Sequence, residues 1–292
     1  MSAPDQLLVI IDPVARRGDG ESVRIAKDVL CARADVRISL PDGPAEFARA
    51  LDRCGSRRPV VVGDDRALLR AVDRLHRGRG LADGAPLSVV PVGPPGSVQL
   101  AGGLGVPLGA VAAARSVLEG VARRLDLLVD DSGGVVLRGL RIPAGAAGVP
   151  AVVDGVPYGA GPAGGVWDTC RSLVRTLVRP PVVAAAPRAA VRPARTHRLR
   201  VEADGQLLSD LDAPVEDVTV VSRNGVAEVV VRPRAGADPI RREASAITVS
   251  GASFRYRADT AQVTGPVWTR TWTLRRSAWA LTLPAGSQLP AP

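Results

Sequence analysis

The chain has 292 residues, 46% of them hydrophobic and 23% charged, the balance of a globular protein long enough for two domains. Its 31 glycines and 25 prolines stay below the level at which disorder becomes the default. A net charge of +9 suits anionic partners, but the basic residues are scattered and aromatic residues make up 3%, so a dedicated nucleic-acid function is not expected.

Nearly all the basic residues are arginine; Lys27 is the only lysine. Cys31, Cys54 and Cys170 are odd in number and far apart, with no CxxC spacing, so neither a disulfide framework nor a zinc site is expected. MSAPDQLLVIID carries no basic leader before a long apolar core, and no apolar stretch is long enough to span a bilayer. The expected compartment is the reducing cytoplasm.

LLVIID (7–12) reads as a buried strand, followed by a Pro-, Arg- and Gly-rich turn. A helix is predicted over 21–32, with Ile25, Ala26, Val29 and Leu30 on one side. DVRISL (35–40) alternates as a strand, and PAEFARALDRC (44–54) opens with Pro44 at a favoured first-turn helix position. PVVVG (59–63) is the third strand; its helix carries Leu68, Ala71, Val72 and Leu75 on one face. LSVVPVG (87–93) is the fourth strand, and Val111, Ala114, Leu118 and Val121 mark a further helix. Strands alternating with helices imply a mostly parallel sheet covered on both faces, over residues 1–124.

From 125 to 292 the pattern changes to short strands and Gly-rich turns, which predicts an antiparallel β-sandwich. THRLRVEAD (196–204) is the clearest strand, and DVTVV, VAEVVV, AITVS, FRYR, VWTRTWTL and AWALTL follow. A helix is predicted over 167–178, and 182–186 reads as a strand within a linker-like Pro/Ala/Arg segment. Phe254, Tyr256, Trp268 and Trp272 are expected in the sandwich core, the alternative being a lipid- or partner-facing patch. His76 and His197 share no motif with a cysteine or acid and read as surface residues.

In an open parallel sheet, ligands bind outside the carboxyl ends of the strands. Three such turns stand out: IIDPVARRGDGE, VVVGDDRA and VVPVGPPGSVQLAGGLGVP. A phosphate there needs backbone N–H groups converging at a helix start, with glycines giving clearance.

In order and spacing these turns resemble the catalytic domain of diacylglycerol, sphingosine, ceramide and bacterial lipid kinases, a fold relative of NAD kinases and phosphofructokinases. That family's patterns are N-P-x-x-G, G-G-D-G-T, P-x-G-T-G-N-D and L-G-x-P, with D-G-E in an antiparallel second domain. The chain has Asp12-Pro13, Gly63-Asp64-Asp65-Arg66-Ala67, Pro91-Val92-Gly93-Pro94-Pro95-Gly96-Ser97, Leu104-Gly105-Val106-Pro107 and Asp204-Gly205-Gln206. The resemblance implies ATP and Mg2+ as cofactors and a lipid hydroxyl as acceptor, with a lipid or membrane surface as partner and peripheral membrane placement. It puts Asp12, Gly63, Asp65, Arg66, Gly93 and Gly96 around the nucleotide, Asp65 on the metal and Asp204 as catalytic base. Each has a plainer alternative: Asp64 and Asp65 as acids at a helix start, and Asp204-Gly205 as a hairpin turn pair.

The departures are as informative. Asp64 adds a carboxylate where the family has glycine, Arg66 fills the second glycine position, and Ala67 lacks the threonine hydroxyl. Asp12 stands for asparagine and Arg16 for a glycine. Pro94 and Pro95 remove two N–H donors, and Gly96-Ser97 replaces an amide and a carboxylate. The expectation is a weakly active or inactive member of this family. The alternatives are an active kinase whose cradle is rebuilt from Arg16, Arg17 and Arg66, and a noncatalytic lipid or anion carrier.

Overall fold

The computed structural model describes residues 6–78, 80–143, 151–153, 156–158, 196–234, 237–259 and 263–286. The first half runs β1 (Gln6–Ile11), α1 (Pro13–Gly18), α2 (Gly20–Cys31), β2 (Asp35–Ser39), α3 (Pro44–Asp52), β3 (Arg58–Gly63), α4 (Asp65–Arg77), α5 (Gly80–Asp83) and β4 (Ser88–Pro91). A 3-10 turn at Pro95–Ser97, α6 (Gln99–Gly103) and α7 (Ala110–Glu119) complete it. The four strands form a parallel sheet in the order β2-β1-β3-β4.

Two-sided burial explains why β1 and β3 are continuous apolar runs. Leu7, Val9 and Ile11 pack with Val23, Ala26 and Leu30 of α2 and Ala113, Ala114 and Val117 of α7. On the other face, Leu8, Ile10 and Val61 meet Phe47, Leu51, Leu68, Ala71 and Val72 of α3 and α4. The predicted turn after β1 is a short helix, because Pro13 suits a first helical position and Asp12 caps it.

The second half runs β5 (Val121–Asp130), β6 (Val135–Val136), β7 (Gly139–Ile142), β8 (Ala151–Val153), β9 (Val156–Tyr158), β10 (Leu199–Ala203) and β11 (Gln206–Ser209). It continues with β12 (Val215–Arg223), β13 (Val226–Pro233), β14 (Ile240–Ala244), β15 (Ala246–Ala258) and β16 (Val263–Leu283). β8 and β9 form a separate hairpin; the other ten strands share one antiparallel sheet. Register shifts bend β15 between Ser250 and Phe254, so that strands on either side of the bend line a single core with Leu128, Val218, Val229, Ile247 and Trp272. The α/β half followed by an antiparallel half therefore stands as expected.

The two sheets meet through β16. Leu87 donates its N–H to the Ala280 carbonyl at 2.9 Å and accepts from the Thr282 N–H at 2.9 Å. Trp279, Leu281 and Leu283 of the same strand are fully buried in the core under β1 and β3. A side chain of that size contributes about 1.5–3 kcal/mol on burial, so β16 ties the halves firmly.

Two expectations change. Val121 does not close the helix of Val111, Ala114 and Leu118 but opens β5, because Gly120 ends α7 where an added Cβ would lie 2.3 Å from the Ser116 carbonyl oxygen. Phe254, Tyr256 and Trp272 are buried, whereas Trp268 is 69% exposed. Val267 pairs with Phe254 on the core side, so its neighbour Trp268 points outward. The predicted helix over 167–178, the strand over 182–186 and Cys170 lie outside the described residues.

Candidate functional site

All four strands of the first sheet are parallel, so Asp12, Gly63 and Gly93 arrive together at its carboxyl edge. The Asp12 N–H donates to the Val62 carbonyl, and the Val92 N–H to the Gly63 carbonyl, each at 2.9 Å. Gly63 has no room for a side chain: a Cβ would sit 2.7 Å from Ala67 Cβ and 3.0 Å from Asp12 Cβ. Gly93, at φ +154°, packs its Cα where a Cβ would be 2.6 Å from Ser97 Oγ and 3.6 Å from Asp64 Cβ. The glycines bring the turns into contact.

Backbone donors at the starts of α4 and α6 are taken by carboxylates of the chain. Asp64 caps α4, its Oδ1 accepting from the Arg66 N–H at 3.1 Å and the Ala67 N–H at 3.0 Å. The Leu68 N–H donates to the Asp64 carbonyl. Asp65, 3% exposed, accepts from the Leu100 N–H at 2.9 Å and the Ala101 N–H at 3.0 Å, one on each oxygen. It thereby caps α6 and fastens it to α4. Burial pushes the Asp65 carboxyl up, opposed by these N–H donors.

The third turn folds onto itself. Pro94 and Pro95 have no N–H, and Ser97 donates to the Pro94 carbonyl from its N–H at 2.8 Å and its hydroxyl at 3.0 Å. Gly96 stands exposed beside it with open space where a Cβ would be.

Asp12 is fully buried. Its Oδ1 accepts from the Val14 N–H at 2.8 Å, and its Oδ2 pairs with the Arg70 guanidinium. Arg70 reaches there from α4, stacked over the Phe47 ring at 5.3 Å, which gives it a second anchor. An Asp12–Arg70 ion pair thus closes the crevice between β1 and β3, the point where strand order reverses. Sequence reasoning missed Arg70. The available signal was an arginine three residues after Ala67 on the buried side of α4, near an otherwise unpaired carboxylate.

Arg66 is exposed on the first turn of α4. Arg16 pairs with Asp42 at 3.3 Å across an exposed surface. Asp204 is not part of this edge: it sits in the β10–β11 turn at φ +48°, and its carboxylate accepts from the Ser245 and Ala246 N–H groups at 2.8–3.0 Å. It fixes that hairpin to the β14–β15 corner. Among the described residues no group of three His, Cys, Asp or Glu is placed to hold a metal ion.

The set does not fit a triphosphate with Mg2+. Asp64 and Asp65 each accept from two N–H groups at the starts of α4 and α6, both Asp65 oxygens are engaged, and Asp64 adds a carboxylate at the start of α4.

The sequence matches no family model and no curated protein. The fold has clear counterparts among solved structures. A diacylglycerol kinase from Bacillus anthracis str. Sterne aligns at TM-score 0.68 and 15% identity, over 97% of this chain and 98% of that one. A second structure from the same organism gives a TM-score of 0.69 at 14% identity. An NAD kinase from Archaeoglobus fulgidus, in complex with ATP, aligns at TM-score 0.51 and 12% identity over 97% and 95% of the two chains. Over nearly its whole length, the chain has the two-domain fold of that diacylglycerol kinase, and at a greater distance that of the NAD kinase.

Proposed function

We propose that the chain belongs to the diacylglycerol kinase-like lipid kinases and is a degenerate member, with weak or no phosphotransfer, that acts as a binding or regulatory protein. Turn order, spacing and the shared fold support the family. The Asp64 cap on α4 carries the claim of degeneracy. It places a carboxylate of the chain itself where a nucleotide phosphate would take the same N–H groups.

Each charge-assisted hydrogen bond to phosphate contributes about 1.5–3 kcal/mol. Two capped helix starts and a turn in which two prolines lack an N–H remove several of these, a loss of roughly a hundredfold or more in affinity. Phosphoryl transfer depends on positioning and electrostatics, so turnover falls with binding. Asp204 as base, Asp65 on magnesium and ATP as cofactor belong to the active alternative. In its favour, Arg17 and Arg66 make no ion pair among the described residues.

The test is transfer of the labelled γ-phosphate of ATP to diacylglycerol in mixed micelles with Mg2+. The expected result is incorporation at the level of a no-protein control. Turnover of about one per second or faster, the range of working kinases, would establish the active alternative.

A further inference from the structure

Asn224 is the only asparagine in the chain, and Gly225 follows it. The pair makes the turn between β12 and β13, where Arg223 pairs with Val226. Both residues have positive φ, +47° and +79°, the geometry of a tight hairpin turn that draws Asn-Gly or Asp-Gly. A matching turn joins β10 and β11, at φ +48° and +79°, and there it is built from Asp204-Gly205. An aspartate therefore fits such a turn. At position 224 the chain carries the neutral amide instead.

Asparagine before glycine is chemically labile, because glycine has no Cβ to hinder ring closure. The glycine N–H loses its proton to solvent, and the nitrogen attacks the asparagine Cγ. A C–N bond closes a succinimide ring while ammonia leaves, taking up a proton. Water then opens the ring to aspartate or isoaspartate, so one amide and one water become one acid and one ammonia. Asn224 is exposed, and its side chain makes no hydrogen bond among the described residues.

The attacking nitrogen is the guarded partner. The Gly225 N–H donates to Asp126 Oδ2 at 2.6 Å, while Asp126 Oδ1 accepts from the Ser277 N–H at 2.9 Å. Asp126 stands on β5, and Ser277, at φ +47°, lies in a bulge of β16 between Arg275 and Trp279. One carboxylate thus pins the turn to the bulge. Only the deprotonated nitrogen attacks, and forming that anion beside a carboxylate is opposed by like charge.

We propose that Asn224 is a deamidation site held closed by Asp126. It stays an amide while the β12–β13 turn is docked on the Ser277 bulge and reacts when the turn leaves it. An aspartate product keeps a turn geometry the chain already uses at Asp204, but adds a second carboxylate beside the Gly225 N–H that Asp126 holds.

The test follows amide-to-acid conversion of the full chain by mass over days at neutral pH, with the converted residue located by fragmentation and Asn224→Gln as background. Folded wild type is expected to convert at least about tenfold more slowly than the same chain unfolded in urea, the contribution of one charge-assisted hydrogen bond. Asp126→Ala converts about tenfold faster than folded wild type. Asp217→Ala removes a carboxylate of β12 that holds Arg141 and Arg232 away from the turn, and speeds conversion by about twofold at most. In the wild type, the Gly225 N–H exchanges with solvent at least about tenfold more slowly than in the unfolded chain. Exchange or conversion in folded wild type at the unfolded rate would overturn the proposal. So would an Asp126→Ala rate unchanged or slower than wild type, or equal gains in the two alanine variants.

Discussion

At the carboxyl edge of the first sheet, the carboxylates of Asp12, Asp64 and Asp65 are held by donors of the chain itself, while at the Ser277 bulge of the second sheet Arg123, Arg275 and Arg276 make no ion pair among the described residues. A region that has satisfied its own polar groups is stable and has little left to offer a ligand. A region that leaves charges unpaired gains little stability from them and remains open to a partner. The place where this fold would hold nucleotide is of the first kind. Breaking the first region should therefore cost stability, and breaking the second should cost little.

The largest effect is expected from Arg70→Ala. It strands the buried Asp12 carboxylate with a single remaining backbone donor, and should cost about 3 kcal/mol in denaturant unfolding. A loss under about 0.5 kcal/mol would mean that the ion pair is only a surface contact. Next comes Gly63→Ala, whose new methyl would lie 2.7 Å from Ala67 Cβ and should cost about 2 kcal/mol through overpacking. Asp64→Ala removes one helix cap, about 1 kcal/mol, while freeing two N–H groups. The smallest effect is expected from Trp268→Ala: an exposed residue outside the core should change stability by less than about 0.5 kcal/mol.

β1, β3 and β4 were legible in the sequence because burial on both faces writes them as unbroken apolar runs. The order of their turns was legible because glycine is required where the turns touch. β5 was not. Its first four residues are exposed, and it then feeds two cores, with Leu125 and Leu127 facing the first sheet and Leu128 the second, so neither period shows. β14, IRREA, is exposed over four of its five residues and carries no pattern at all. Trp268 was misplaced because the bend in β15 is invisible to a count of alternating residues.

At the candidate site, paired acids at a helix start could be read from Asp64-Asp65, and the first is indeed a cap. That the second reaches a helix 35 residues further on depends on tertiary packing alone. The Asp204-Gly205 pair was legible as a hairpin turn. Its hold on Ser245 and Ala246, across about 40 residues of chain, was not.

The central claim is that Asp64 stands in the place of a phosphate. Calorimetric titration of ATP with Mg2+ into the wild type and into Asp64→Gly, side by side, tests it most directly. The account predicts no micromolar binding by the wild type and affinity at least about tenfold higher in the variant, as two N–H groups return to the helix start. Micromolar binding by the wild type, left unchanged or weakened by Asp64→Gly, would contradict it.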